Sequence, residues 1–299
     1  MDHSIRKKLG WRRQRYDDRD IKYTPKLHRY VLPRSFDLRK VVTLPQPYDQ
    51  GELGSCVSNG IAFCFQYNET NINPLVGMPS RLFVYYNSRV LEGTVGEDSG
   101  VEIRDGIKSV NADGVCDEKL WPYVITKFTL KPSSEAYEQA ISCRGLSYYA
   151  LNQNLNDIKT ALYNKLPVIF GFQVYSSFDT SSVEKTGIMP IPNIRTEDCL
   201  GGHCVVAVGY DDAKNGGCII VRNSWGTSWG DGGYFYMPYK VILDPNIASD
   251  FWVISKITNP SSPKSVTTPD VKKEEINDLV KLVREFTCNL NNWIERTTK

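Results

Sequence analysis

The 299-residue chain reads as an α+β protein in which a helical first half meets a strand-rich second half across a cleft. Three observations carry that reading. Between Cys56 and Asn111 the apolar residues recur at helical spacing. Between Val168 and Ile254 they fall instead in short, β-branched runs bounded by turn residues. The two kinds of segment are segregated along the chain rather than alternating, which disfavours a parallel βαβ architecture.

Taken in order, residues 1–31 carry ten Lys/Arg against four Asp and show little periodicity, so they form a basic arm. A domain from 32 to 257 follows, with a helical lobe over about 40–149 and a β-rich lobe over about 150–257. In the helical lobe, Val57, Ile61 and Phe65, flanked by Ala62 and Cys64, make one apolar face of a helix that begins at Cys56. Arg81 to Val90 and Val101 to Asn111 are two more helices, the second stopped by Asn111-Ala-Asp-Gly114. In the β-rich lobe, Asn156 to Leu166 is an amphipathic helix ended by Pro167. The strands are Val168–Tyr175, Cys204–Tyr210, Cys218–Val221, Tyr234–Met237 and Phe251–Ile254, with a hairpin turn at Gly216-Gly217. Residues 258–269, rich in Ser, Pro and Thr, make a linker. Residues 270–299 make an amphipathic helix with Ile276, Leu279, Val283, Phe286, Leu290 and Trp293 on one seam, packed on its own domain or on a partner.

Composition bounds the function. A hydrophobic share of 41% and a net charge of +2 suit a globular protein and give no case for nucleic acid as a partner. No run approaches the ~20 apolar residues of a membrane span, and Met1 to Asp20 has no apolar core of secretory type. The eight cysteines follow no pairing pattern, so most are expected as buried thiols in a reducing compartment such as the cytoplasm, or in a virion for a virus-encoded protein. On that reading Asn68-Glu-Thr70 is a chance match to a glycosylation acceptor.

Only three histidines occur, and His3 and His28 lie in the arm. His203, in Gly201-Gly-His-Cys-Val-Val-Ala-Val-Gly-Tyr210, is therefore the candidate for proton transfer in the globular part. Cys56 follows the glycine-rich Gln50-Gly-Glu-Leu-Gly-Ser55 and opens a helix, where partial positive charge favours a thiolate and free backbone N–H groups could hold an oxyanion. Asn223, in Val221-Arg-Asn-Ser-Trp-Gly-Thr-Ser-Trp229, ends an apolar strand beside two tryptophans. A zinc site from Cys199, His203, Cys204 and Cys218 is the competing chemistry, but adjacent His203 and Cys204 would point to opposite faces of a strand.

Together these motifs resemble the papain family of cysteine peptidases. The match opens at Leu32-Pro-Arg-Ser-Phe-Asp-Leu-Arg39, runs through Gln50…Cys56, Trp121-Pro-Tyr123, Gly202-His203 and Asn223-Ser-Trp-Gly226, and fades after about residue 257. Tyr48-Asp-Gln-Gly-Glu-Leu-Gly-Ser-Cys56 and Glu97-Asp-Ser-Gly-Val-Glu-Ile-Arg-Asp-Gly106 bring it closer to the bacterial-type branch, also found in large DNA viruses. The resemblance implies a two-lobed papain-like fold with a β-barrel-like C-terminal lobe and the active site in the cleft. It implies an endopeptidase acting through a thioester on Cys56, with His203 as acid and base, Asn223 orienting it, and Trp225 shielding that contact. Gln50 and the Cys56 N–H would form the oxyanion hole. Protein or peptide substrates are implied, and no metal or cofactor.

This chain also departs from the family. Leu53 and Val57 replace the family's usual Cys and aromatic residue, and its Gly-Gly specificity wall survives at most as Gly100, taken as substrate-binding. The arm is a short prosegment that blocks the cleft, a tether to acidic partners, or a solvated tail. The first of these makes the protein a zymogen.

Overall fold

In a computed structural model, residues 8–24, 31–72, 77–144 and 146–257 are described. The expected linker at 258–269, the expected helix at 270–299, and His3 and His28 lie outside the described residues. The elements in chain order are β1 (Ser35–Asp37), α1 (Cys56–Ile72), α2 (Arg81–Glu92), α3 (Ile103–Asp113), α4 (Ser134–Ile141), β2 (Leu146–Ala150), α5 (Leu155–Tyr163), β3 (Val168–Tyr175), α6 (Ser181–Thr186), β4 (Cys199–Asp211), β5 (Cys218–Arg222), β6 (Tyr234–Pro238), α7 (Tyr239–Ile242) and β7 (Ala248–Ile257). Helices dominate up to residue 141 and strands after it, as the segregation of patterns implies.

Local chemistry sets the helix ends. Ser80 caps α2 by accepting from the Phe83 N–H at 3.1 Å, and Gly93 ends it in the left-handed conformation with φ 70°. Asn154 caps α5 by accepting from the Asp157 N–H at 2.8 Å. The sequence reading passes over α4, which is only eight residues long and is started by the Ser133 cap. It also passes over β1 and β2, which are too short to show periodicity.

Among the described residues, seven antiparallel strands form one sheet in the order β2-β7-β3-β4-β5-β6, with β1 added to the far end of β4. Strand β4 is the spine, because it pairs with β3 along its first half and with β5 and β1 along its second. Alternation along β4 divides the core in two. Cys204, Val206 and Val208 join the cluster built around α1, α2 and α3, while Val205 and Ala207 join the cluster on the opposite face, and an irregularity in the pairing with β5 between Ala207 and Gly209 turns Tyr210 to that second face too.

Helix α1 is buried on nearly every side over Cys56–Phe65, so it runs through the middle of the protein rather than across its surface. Gly60 makes this possible: a Cβ there would lie 2.9 Å from Ile169 Cδ1 and 3.5 Å from Cys204 Sγ. A glycine inside a helix costs up to about 1 kcal/mol relative to alanine, and here the absence of a side chain lets the helix reach the sheet. Among the described residues no helix is long and apolar enough to cross a membrane. Both N–H groups of the Asn68 amide are used inside the fold, donating to the Cys64 and Ile254 carbonyls at 2.7 and 3.2 Å.

Gly60→Val is predicted to lower unfolding stability by about 1–3 kcal/mol through overpacking against Ile169. Urea unfolding followed by circular dichroism measures this. Gly96→Val, where an added Cβ meets only open space, is the comparison and should leave stability nearly unchanged.

Candidate active site

Cys56 lies against the strand that carries His203, and His203 meets Asn223 at the end of β5. The Cys56 sulfur accepts a hydrogen bond at 3.4 Å from the backbone N–H of Cys204, the residue that follows His203. His203 Nε2 lies 2.8 Å from Asn223 Oδ1. With Nε2–H donating to that oxygen, Nδ1 is the basic nitrogen, and it is buried without a hydrogen-bond partner. Asn223 Oδ1 also accepts from the Ser224 N–H at 2.8 Å, which fixes the amide with its oxygen toward the ring.

Trp225 stacks on His203 with ring centroids 4.8 Å apart and planes inclined by 27°. Behind it stand Trp229 at 5.0 Å and Phe178 at 5.9 Å, and Phe172 meets the other edge of the imidazole at 5.9 Å. The Asn–His hydrogen bond therefore sits in an aromatic box that excludes water. His203 faces this box and Cys204 faces α1, so the two side chains diverge as strand geometry demands. Among the described residues no three His, Cys, Asp or Glu side chains are grouped as a metal site would need.

Gln50 is held from two sides. Its Oε1 accepts from Ser224 Oγ at 2.6 Å and its backbone N–H donates to the Ser224 carbonyl at 2.9 Å, which turns the amide NH2 toward the cleft. Tyr123, from the Trp-Pro-Tyr motif, braces the same loop by donating to the Gln50 carbonyl at 2.9 Å and meeting Ser55 Oγ at 2.5 Å. Ser224 and Tyr123 have no assigned role in the sequence reading. Only the contact across many intervening residues reveals what they do.

The arm lies in the cleft. Gln50 Nε2 donates to the Lys8 carbonyl at 2.9 Å, and the Gly10 backbone passes close enough to Cys56 for its N–H dipole to act on the thiol. Trp11 N–H donates to the Gly202 carbonyl at 2.9 Å, Val101 N–H to the Gly10 carbonyl at 2.9 Å, and Arg12 N–H to the Val101 carbonyl at 3.2 Å. Gly100, with φ +67°, forms the wall beside Gly10, and a Cβ there would lie 2.1 Å from the Gly10 oxygen. Likewise a Cβ on Gly10 itself would come within 1.9 Å of the Gly54 oxygen. Charge reinforces the fit: Lys8 Nζ lies 2.5 Å from Asp98 Oδ2, Arg12 pairs with Glu92, and Arg104 of α3 pairs with Asp20 at 2.5 Å. Downstream, the Tyr23 N–H donates to the Ala150 carbonyl at 2.8 Å. Residues 8–24 are thus seated against the body, and Lys8 and Arg12 find acidic partners there.

Burial by the arm shapes the electrostatics. Cys56 and His203 are each 0% exposed. Loss of water pushes the Cys56 thiol up to about 11, although backbone N–H groups from Cys204, Gly10, Val57 and Cys56 pull the other way. Burial likewise lowers His203 to about 4, against the opposing effect of the Asn223 hydrogen bond. Burial therefore disfavours the charged form of both groups. Of the remaining departures, Leu53 is buried in the core at the position of the family's cysteine, and Val57 is buried against α3, where a Cβ on Gly106 would lie 3.1 Å from its Cγ1.

Comparison with known proteins agrees with this geometry. The family model described as "Papain family cysteine protease" matches residues 32–253. An uncharacterized peptidase C1-like protein of Acanthamoeba polyphaga mimivirus is 42% identical over 285 residues, covering 87% of this chain and 91% of that protein. Cysteine proteinase 3 of Entamoeba histolytica is 27% identical over 69% of this chain, and the match spans 63% of that protein. Among solved structures, xylellain, a cysteine protease from Xylella fastidiosa, superposes with a TM-score of 0.78 at 37% identity, covering 84% of this chain and 96% of that one. The expected leaning toward the bacterial-type branch, with a relative in a large DNA virus, holds. The chain belongs to the papain family of cysteine proteases.

Proposed function

We propose that the protein is a cysteine endopeptidase whose cleft is occupied, in the state described above, by its own N-terminal arm. One observation carries this reading: a peptide backbone lies across the site, with the Lys8 carbonyl on Gln50 and main-chain hydrogen bonds joining Gly10 to Val101 and Trp11 to Gly202.

In the reaction the Cys56 thiol gives its proton to His203 Nδ1, and the sulfur attacks a substrate carbonyl carbon. The oxyanion that forms accepts hydrogen bonds from Gln50 Nε2 and the Cys56 backbone N–H. His203 returns the proton to the leaving amine as the C–N bond breaks, leaving a thioester on Cys56. Water, deprotonated by the same nitrogen, then attacks the thioester and releases the acid and the thiol. Asn223 keeps the ring in the tautomer that leaves Nδ1 basic, and Trp225 keeps water from the Asn–His bond. Gly100 leaves room for the substrate main chain, which Val101 would bind as it binds Gly10.

Gly10→Val is expected to force the arm out of the cleft and to raise peptidase activity on a casein or peptide-library substrate by about tenfold or more. Cys56→Ala in the same background should abolish it, and Gln50→Ala should lower kcat by ~10²–10³. Full activity in the Cys56→Ala protein would end the peptidase reading, and unchanged kinetics in Gly10→Val would end the arm's inhibitory role.

Thiol reactivity follows from the same burial. A thiol pushed up to about 11 leaves on the order of one sulfur in ten thousand ionised at pH 7, so alkylation of Cys56 in the unaltered chain should be slow there and climb as pH rises toward 11. In Gly10→Val the returning water lowers the thiol and raises the histidine, so alkylation should be fast at pH 7 and fall only under acid conditions. Iodoacetamide labelling followed by mass spectrometry reads both curves.

A further inference from the structure

The oxyanion hole of the reaction above draws its donors from two places six positions apart, the Gln50 amide and the Cys56 backbone N–H. The link between them is a turn that contains Gly51, with φ 58°, and Gly54. Glycines give such a turn its shape but not stiffness. A group outside the turn must fix where Gln50 stands relative to the first turn of α1.

Arg81, the first residue of α2, is buried beside this turn. Its Nη1 donates to the Asp49 carbonyl at 3.0 Å and to Asn59 Oδ1 at 3.2 Å. Asn59 lies in the first turn of α1, and its Nδ2 donates to the Ser55 carbonyl and to Ser55 Oγ, both at 3.0 Å. One nitrogen therefore joins the residue before Gln50 to the helix that Cys56 opens. Both peptide units around Gln50 are gripped. The first has its carbonyl on Arg81 and its N–H on the Ser224 carbonyl at 2.9 Å, and the carbonyl of the second accepts from the Tyr123 hydroxyl at 2.9 Å. Arg81 holds Tyr123 as well, since its guanidinium carbon lies 4.0 Å from the centre of the tyrosine ring. Glu118 sets the plane of the guanidinium by accepting from Nε at 2.9 Å and Nη2 at 2.8 Å, and it balances the charge.

We propose that Arg81 is a positioning residue for the oxyanion hole, fixing the separation between the Gln50 amide and the Cys56 N–H. The inference rests on the peptidase reading above and adds to it a residue that acts from α2 through Gln50.

The test uses the full Gly10→Val chain with Arg81 intact or changed to Lys. Lysine keeps the charge beside Glu118 but lacks the planar fork, so it cannot serve Glu118, Asp49 and Asn59 in one geometry. On a peptide substrate, Arg81→Lys should lower kcat by about ten- to a hundredfold and change KM by less than about twofold. The loss should depend on Gln50: in a Gln50→Ala background the same substitution should cost less than about threefold. Alkylation of Cys56 by iodoacetamide displaces iodide and forms no oxyanion, so its rate should stay within about twofold of the parent. A general disturbance of the site would slow both reactions. A second variant, Arg81→Met with Glu118→Gln, removes the ion pair as a unit and should give the same pattern. A full multiplicative loss in the Gln50→Ala background, an equal slowing of alkylation, an unchanged kcat in either folded variant, or loss of the folded circular dichroism spectrum in both would overturn the positioning role and leave the peptidase standing. Failure of the Gly10→Val parent to cleave any peptide, together with no labelling of Cys56 by a thiol-directed epoxide, would instead overturn the peptidase reading itself.

Discussion

The contact between the first turn of α1 and strand β4 is the constraint on which the site depends. The proposed nucleophile and the imidazole come from opposite halves of the chain, and the hydrogen bond from Cys204 N–H to the Cys56 sulfur is one of the contacts that join those halves. The approach is possible because Gly60, one turn further along α1, has no side chain to meet Ile169. Helix dipole, free N–H groups and nucleophile are all properties of the start of α1, so seating that helix against β4 positions all of them in one step.

From that contact the remaining groups follow through short bridges. The residue after the β5 strand presents Asn223 to the imidazole, and the next one, Ser224, reaches across to orient Gln50. One tripeptide, Asn223-Ser224-Trp225, thus supplies the contact to the imidazole, the hydrogen bond that turns the Gln50 amide and the ring stacked on His203. Coupling through adjacent backbone positions keeps these functions in register: a shift of this segment would move all three together.

Much of this could be read from the sequence, and the parts that could not share a physical cause. Cys56, His203, Asn223 and Gln50 stand out because their chemistry is rare or sits in glycine- and tryptophan-rich surroundings. The long helices and strands announce themselves by periodicity, and β4 differs from its expectation mainly by extending back to Cys199. Helix α4 and strands β1 and β2 escape notice because three to eight residues hold too little pattern. The position of the arm escapes for another reason. Its basic residues suggest exposure, yet Lys8, Arg12 and Asp20 are matched by Asp98, Glu92 and Arg104, and no local pattern encodes partners so distant in the chain.

The register of the arm rests on complementary absence of side chains. Gly10 passes Gly54 and Gly100 where main chain meets main chain, and the next residue carries the largest side chain into the space that Gly171 and Gly202 leave. Sliding the arm by one residue would drive an indole into the Gly54 oxygen and leave the pocket over Gly171 empty, losing both the packing and the hydrogen bond from Trp11 Nε1 to Asp250. A slip is thus opposed by sterics on one side and by a void on the other. The seating of the arm is therefore a consequence of one geometric match between two adjacent arm residues and four glycines of the body.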